Sequence, residues 1–386
     1  MNKIYNNQEE IASKIGKFLQ TVCTDIRKTQ LNILPYILFG MIIGESCVSG
    51  DIAKSLKGHF STIQYDSVVR RIRRFFNNAL FEPYEFYKNV IKYVISHYKI
   101  KHKDNTIHIA FDHMYSKENY TIFMLSMRVG KQGIPLYFKC FKGIRQPDAF
   151  SDQTITEAIK EVSSYFENTN FNLVFLADRW FNSEKILRTI DELGHIYCIR
   201  FKSNLKVLIY DKKEKRYVYS KTGDLTGWKY KGKYYKDVYL YENSAYKTNI
   251  AISKSDSVDE PWIIVSNKEI KRSIKWYGYR FGIECVFKNQ KSNGFYIEKI
   301  CNASLKGFTT MYACVCFCIT FLTIIGADFS KNTRCYKKVK ITTHKKYNGI
   351  KKRIVSLFNT GLILFKLAHN SLNYIRIPFK FILQDI

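Results

Sequence analysis

The chain has 386 residues, 46% hydrophobic and 16% aromatic, which is enough apolar surface for real cores and excludes a disordered chain or a disulfide mini-protein. Against 33 Asp and Glu stand 62 Lys and Arg, a formal charge of +29 that draws polyanions, nucleic acid first and an anionic membrane surface second. The charge is uneven: residues 1–100 hold 14 basic and 8 acidic side chains, whereas between Asp328 and Asp385 there are 13 basic and no acidic ones.

Residues 7–47 read as two helices, with Ile11, Ile15, Phe18, Leu19 and Val22 at helical spacing. Asp51 is expected to cap a short helix through Leu56, stopped by Gly58. From about Gln64 to Phe76 a second helix buries Val68, Val69, Ile72, Phe75 and Phe76 and projects Arg70, Arg71, Arg73 and Arg74 elsewhere. Helix, glycine turn and basic helix outline a helix-turn-helix; the plainer alternative is an arginine-rich solvated face. Residues 82–99 give one more amphipathic helix.

Strand period begins after Asp104, where Ile107, Ile109 and Phe111 alternate with His108, Ala110 and Asp112. Two further strands, near Tyr120–Val129 and Ile134–Phe141, are joined by a turn at Gly130–Gly133. A helix over Thr154–Phe166, a buried strand Leu173–Ala177 ending at Asp178, a helix Ser183–Leu193 and a strand His195–Phe201 complete a β-β-β-α-β-α-β block. Short tyrosine- and lysine-rich strands follow from Lys202 to about Glu260, then an apolar strand Trp262–Ser266 and a long helix, about Ile270–Ser292. The run Phe308–Ala327 carries no charge and matches a membrane span in length, but it holds four threonines and reads as a buried core helix. A basic tail, 328–386, has helical stretches such as Ile354–Leu367.

None of the ten cysteines forms a CxxC pair and no signal peptide opens the chain, so reduced thiols in a cytoplasmic protein are expected. His97, His102, His108 and His113 have no partner at zinc spacing.

On the helix 270–292, Tyr277, Arg280, Glu284, Lys288 and Lys291 fall on one face, so a carboxylate is bracketed by cations and a phenol. Alone, that could be a solvated face with helix ion pairs. Asp112 lies in the first strand of the block, and Asp178 follows an apolar strand at its carboxyl end, where open α/β sheets place their sites. Three carboxylates from a strand, a strand end and a helix could hold Mg²⁺, a hard cation that completes its shell with water and phosphate. Two such ions about 3.5–4 Å apart suit in-line phosphoryl displacement.

The helix pattern Tyr277-x2-Arg280-x3-Glu284-x6-Lys291 resembles the Tyr-Arg-Glu-Lys signature of a group of bacterial insertion-sequence DDE transposases. Asp178-Arg179-Trp180-Phe181 and Ile109-Ala110-Phe111-Asp112 resemble the contexts of that family's two aspartates, with Met114 departing from its usual threonine. The resemblance spans about residues 104–327. It implies an RNase H-like catalytic core, 101–201 and 261–327, interrupted by a β-rich insertion, 202–260. An all-α N-terminal DNA-binding region, 1–100, and a basic C-terminal region, 328–386, flank it. It further implies Asp112, Asp178 and Glu284 as catalytic metal ligands for two Mg²⁺, with Mn²⁺ able to substitute. Tyr277, Arg280, Lys288 and Lys291 would contact DNA phosphates, and Trp228 of the insertion is the candidate to stack on a flipped base.

The expected function is metal-dependent cleavage of double-stranded DNA at terminal inverted repeats and strand transfer into target DNA. The resemblance implies a homodimer in the synaptic complex, in the bacterial cytoplasm at the nucleoid, with no membrane partner. Alternatives are a non-catalytic DNA-binding regulator descended from a transposase, or an RNase H-fold nuclease.

Overall fold

The computed structural model describes residues 2–97, 105–117, 119–225, 232–241, 246–253, 261–300, 303–331, 343–347 and 350–370. Six helices come first: α1 (Asn2–Val22), α2 (Lys28–Leu31), α3 (Leu34–Gly44), α4 (Ser49–Ser55), α5 (Tyr65–Phe76) and α6 (Pro83–His97). The span expected to hold two helices holds three, because the chain turns at Arg27 into the short α2 and restarts at Leu34-Pro35, where proline suits a first turn. Asp51 is not a cap: α4 starts behind Val48, and the Asp51 carboxylate accepts a hydrogen bond from Ser46 Oγ at 2.9 Å. On α5 the apolar side is buried as expected and all four arginines are exposed. The α4–α5 connection, residues 56–64, is longer than the three or four residues of a compact helix-turn-helix.

A mixed sheet of ten strands forms the centre, in the order β3-β2-β1-β4-β5-β10-β9-β8-β6-β7. Its first half is β1 (Thr106–Ser116), β2 (Tyr120–Val129), β3 (Gln132–Lys142), β4 (Asn172–Ala177) and β5 (Ile196–Arg200). The meander β1–β3 is antiparallel, whereas β1, β4 and β5 run parallel. The crossovers are α7 (Asp152–Ser164) and α8 (Glu184–Glu192), so the expected β-β-β-α-β-α-β order is present. The β2–β3 turn is only Gly130-Lys131, and Gly130 takes the positive φ of +63° that favours glycine.

The second half is β6 (Lys206–Asp211), β7 (Arg216–Lys221), β8 (Lys233–Tyr239), β9 (Lys247–Ser253) and β10 (Trp262–Ser266). Because β10 pairs with β5 on one side and β9 on the other, the tyrosine-rich strands prolong the same sheet. The helix expected over 270–292 is two helices, α9 (Ile270–Tyr277) and α10 (Phe281–Lys291), joined by a 3-10 turn at Gly278–Arg280. α9 packs on β5, β9 and β10, α10 on β1–β3, and the turn redirects the chain between these seats.

The uncharged run lies in α11 (Leu305–Lys331), whose most apolar window is wholly buried among α3, α5, α6 and β3, the core position expected of it. Its Cys314, Cys316 and Cys318 are buried free thiols. After a small hairpin, β11 (His344–Tyr347) and β12 (Ile350–Arg353), α12 (Leu357–Asn370) docks on α11. The helices meet at Gly326 and Gly361, where a Cβ would lie 1.9 Å from the carbonyl oxygens of Leu357 and Leu322 respectively.

Candidate functional site

Strand register brings the two aspartates together. In the parallel β1–β4 pair, Phe111 lies opposite Ala177, the last matched residues. Asp112 and Asp178 follow immediately, and Asp178 keeps an extended backbone (φ −81°, ψ 174°). They therefore leave neighbouring strands, about 4.8 Å apart, on the same face of the sheet. Each spends one oxygen on the next amide: Asp112 Oδ1 accepts from His113 N at 2.8 Å and Asp178 Oδ1 from Arg179 N at 2.6 Å.

Glu284 reaches the same face from α10. That helix is seated by Ile283 and Val286, both fully buried, and by a glycine contact with β3. A Cβ on Gly133 would come within 2.6 Å of Val286 Cγ2 and 2.9 Å of the Gly282 carbonyl oxygen, so only glycine allows this approach. Arg280, at the end of the 3-10 turn, joins the carboxylates: Nη1 donates to Asp112 Oδ2 at 2.9 Å and Nη2 to Glu284 Oε1 at 2.5 Å. Its side chain is only 15% exposed.

Burial pushes the Asp112 carboxyl up to about 6; the Arg280 cation and the His113 amide oppose this, and the Asp178 and Glu284 charges add to it. The three carboxylates thus share one electrostatic centre. Among the described residues, however, no three His, Cys, Asp or Glu side chains gather closely enough to hold a metal ion. Arg280 stands between Asp112 and Glu284 and supplies the counter-charge. The donor set itself, all hard carboxylate oxygen with mutual repulsion to relieve, suits a divalent cation.

The remaining expected site residues are spread around this centre. Tyr277 is buried, edge-on to Trp262 at 5.1 Å, and its phenol is pushed up by burial and held back by Arg280. Arg280 Cζ lies 6.0 Å over its ring, so Tyr277 adjoins the centre from the end of α9. Lys288 is exposed one turn beyond Glu284. Lys291 pairs with Glu298 at 3.1 Å, outside the helix that suggested its role. Trp228 lies outside the described residues.

Two neighbours escaped the sequence reading. Arg200 ends β5 and is close enough to Tyr277 to lower its phenol pKa; its place at the carboxyl end of a parallel strand was the available signal. Trp180, two residues after Asp178, is 74% exposed with Lys202 Nζ 5.0 Å over its ring. Beside the carboxylates, His113 lies between Phe150 (4.1 Å) and Phe181 (5.2 Å) and its Nε2 bonds the Ala149 carbonyl at 2.8 Å.

Open α/β sheets place their ligands at the carboxyl ends of the strands, which is where these carboxylates gather. Residues 130–321 match a family model described as a transposase DDE domain. The matched span includes Asp178 and Glu284 and starts downstream of Asp112. The match spans just under half of the chain, and over that span the chain is similar to transposase DDE domains. No curated protein matches the chain. Among solved structures, it is similar to a chain of the X-ray crystal structure of Marinitoga piezophila Argonaute in complex with 5′ OH guide RNA and target DNA, at 14% identity and a TM-score of 0.20. The likeness covers 50% of this chain and 30% of that one, and so loose a superposition defines neither fold nor function.

Proposed function

We propose that the protein is a cut-and-paste transposase with an RNase H-like core, of the Tyr-Arg-Glu-Lys signature group. It binds terminal inverted repeats, cleaves the phosphodiester at the transposon end, and delivers the freed 3′-OH to target DNA. The observation that carries this reading is the register that sets Asp112 beside Asp178, with Glu284 tied to Asp112 through Arg280.

Asp112, Asp178 and Glu284 would hold the metal, two Mg²⁺ on this reading, with Mn²⁺ able to substitute. Divalent cations there supply charge stabilisation for the phosphate oxygens and a nucleophile at neutral pH. The protein's own residues do the rest. Arg280 neutralises Asp112 and Glu284, and its fork is of the kind that binds a phosphate bidentately. Exposed Lys288 adds phosphate contact, and Tyr277 holds Arg280 in place from a buried position. Away from the centre, exposed Arg70, Arg71, Arg73 and Arg74 of α5 form one cationic face for duplex phosphates. A homodimer in the bacterial cytoplasm, acting at the nucleoid, would hold both ends together.

The test uses the full-length protein, Mg²⁺, and DNA fragments flanking its own coding region. Asp112→Asn, Asp178→Asn and Glu284→Gln are expected to abolish nicking and to keep end binding. Retained cleavage in any one of them would falsify the assignment.

A further inference from the structure

The outer strands β6 and β7 expose aromatic rings on one face only. Val207 and Ile209 turn inward to the core, whereas Tyr210 is 48% exposed and Tyr219, across the pair, is 63% exposed. Register fixes their company: Tyr210 lies opposite Tyr217, Leu208 opposite both Tyr219 and Tyr239, and Tyr239 opposite Lys247. Directly paired residues share a face, so these rings form one patch. Tyr210 and Tyr217 meet edge to face at 5.4 Å, and Tyr217 and Tyr239 at 5.3 Å.

Lysines are set among them on that face. Lys247 Nζ sits 5.1 Å over the Tyr239 ring. Lys206 and Lys221, exposed and directly opposite each other, continue the patch at its far end. Same-face residues two apart are spaced by about 6.6 Å, a repeat that an extended nucleic-acid strand can follow.

The same face leads back to the carboxylates. Ala110, in step with Asp112, aligns with Leu176 and Cys198; Arg200 aligns with Ile264, and Ile264 with Ala251, in step with Lys247. Helix α9 covers β5, β10 and β9 on the way, and the tyrosine strands extend past it.

We propose that this face of β6–β9 is a stacking platform for the unpaired bases of a single DNA strand. Tyr210, Tyr217 and Tyr219 take the bases, and Lys206, Lys221 and Lys247 take the phosphates. Interleaved exposed rings and cations are what sequence-tolerant single-strand binding requires, and the chain's +29 charge favours a polyanion over a protein partner. The platform goes beyond cleavage and works without metal, so it stands or falls independently of the catalytic assignment.

The experiment measures binding of a fluorescent oligothymidylate of about ten nucleotides to the full chain in EDTA, by anisotropy. The double change Tyr217→Ala with Tyr219→Ala is expected to weaken binding by about tenfold or more, and the Tyr→Phe pair to retain it. An abasic oligonucleotide of equal charge should bind wild type as weakly as the alanine variant binds oligothymidylate. Lys206→Gln with Lys221→Gln should instead flatten the salt dependence. Unchanged affinity in the alanine variant overturns the proposal, as does equal loss in the phenylalanine pair. If the alanine variant loses only self-association in sedimentation, the face is a protein interface and the proposal is also overturned.

Discussion

Arg280, from the turn before α10, reaches Asp112 of β1 at 2.9 Å, although 168 residues separate them in the chain. With its second arm on Glu284, this guanidinium holds the candidate centre together and neutralises it in the absence of a cation. Removing one member of a part-buried pair leaves the other uncompensated, and Asp112 is only 26% exposed. Arg280→Ala is therefore expected to lower stability by about 2 kcal/mol, less than a fully buried pair because Glu284 reaches solvent. Millimolar Mg²⁺ should restore the variant's Tm by more than it raises that of wild type, since the cation takes over the vacated counter-charge. Equal Mg²⁺ responses in thermal unfolding would remove Arg280 from this role.

Gly133 sets how closely α10 approaches β3, and α10 carries Glu284. A valine there would push against Ser126 Oγ, Val286 and the Gly282 carbonyl at once. The last of these is backbone and cannot rotate away. Gly133→Val should destabilise the protein by about 1–3 kcal/mol and displace Glu284 from Asp112. Mg²⁺-dependent cleavage should then fall more than tenfold at temperatures where the variant is still folded by circular dichroism. A variant with wild-type Tm and wild-type cleavage would show that this contact does not position the helix.

How much of this was legible depended on the range of each interaction. β2 and β10 could be read to the residue, because alternation and flanking turn residues are local signals. The places of Asp112 and Asp178 were legible because Asp112 lies in an alternating strand and Asp178 directly follows an apolar one. The break at Gly278–Arg280 was not, since Gly278 keeps a helical backbone (φ −58°) and a 3.6-residue period cannot register three residues of 3-10 turn. Lys291 was read from helical spacing alone, which could not show its ion pair with Glu298, beyond the helix end in the following 3-10 turn. The union of β6–β9 with the central sheet rests on the β5–β10 and β10–β9 pairings, which join strands across long sequence separations. Asp51 looked like a cap from its neighbours in sequence, but α4 begins behind Val48, so Asp51 lies inside its first turn.

Acid should act on the site through two adjacent groups with opposite signs. Burial holds the His113 imidazole down at about 4, well below the roughly 6.5 of an unfolded histidine. Its contribution to stability is complete above about pH 6.5 and is lost as pH falls toward 4, because the unfolded chain then binds the extra proton. Asp112 is the reverse case. Its folded value of about 6 exceeds the unfolded 3.8, so acidification between those limits favours the folded state. In wild type the two slopes offset each other over about pH 4–6. Asp112→Asn should therefore steepen the loss of stability from pH 6.5 to 4, and His113→Phe, which preserves stacking between Phe150 and Phe181, should flatten it. Each effect amounts to up to about 3 kcal/mol. Histidines His59, His195 and His369, also held low by burial, remain in both variants and cancel from the comparison. Thermal unfolding of the three proteins across this range tests the assignment; parallel curves would mean that neither group changes protonation there on unfolding.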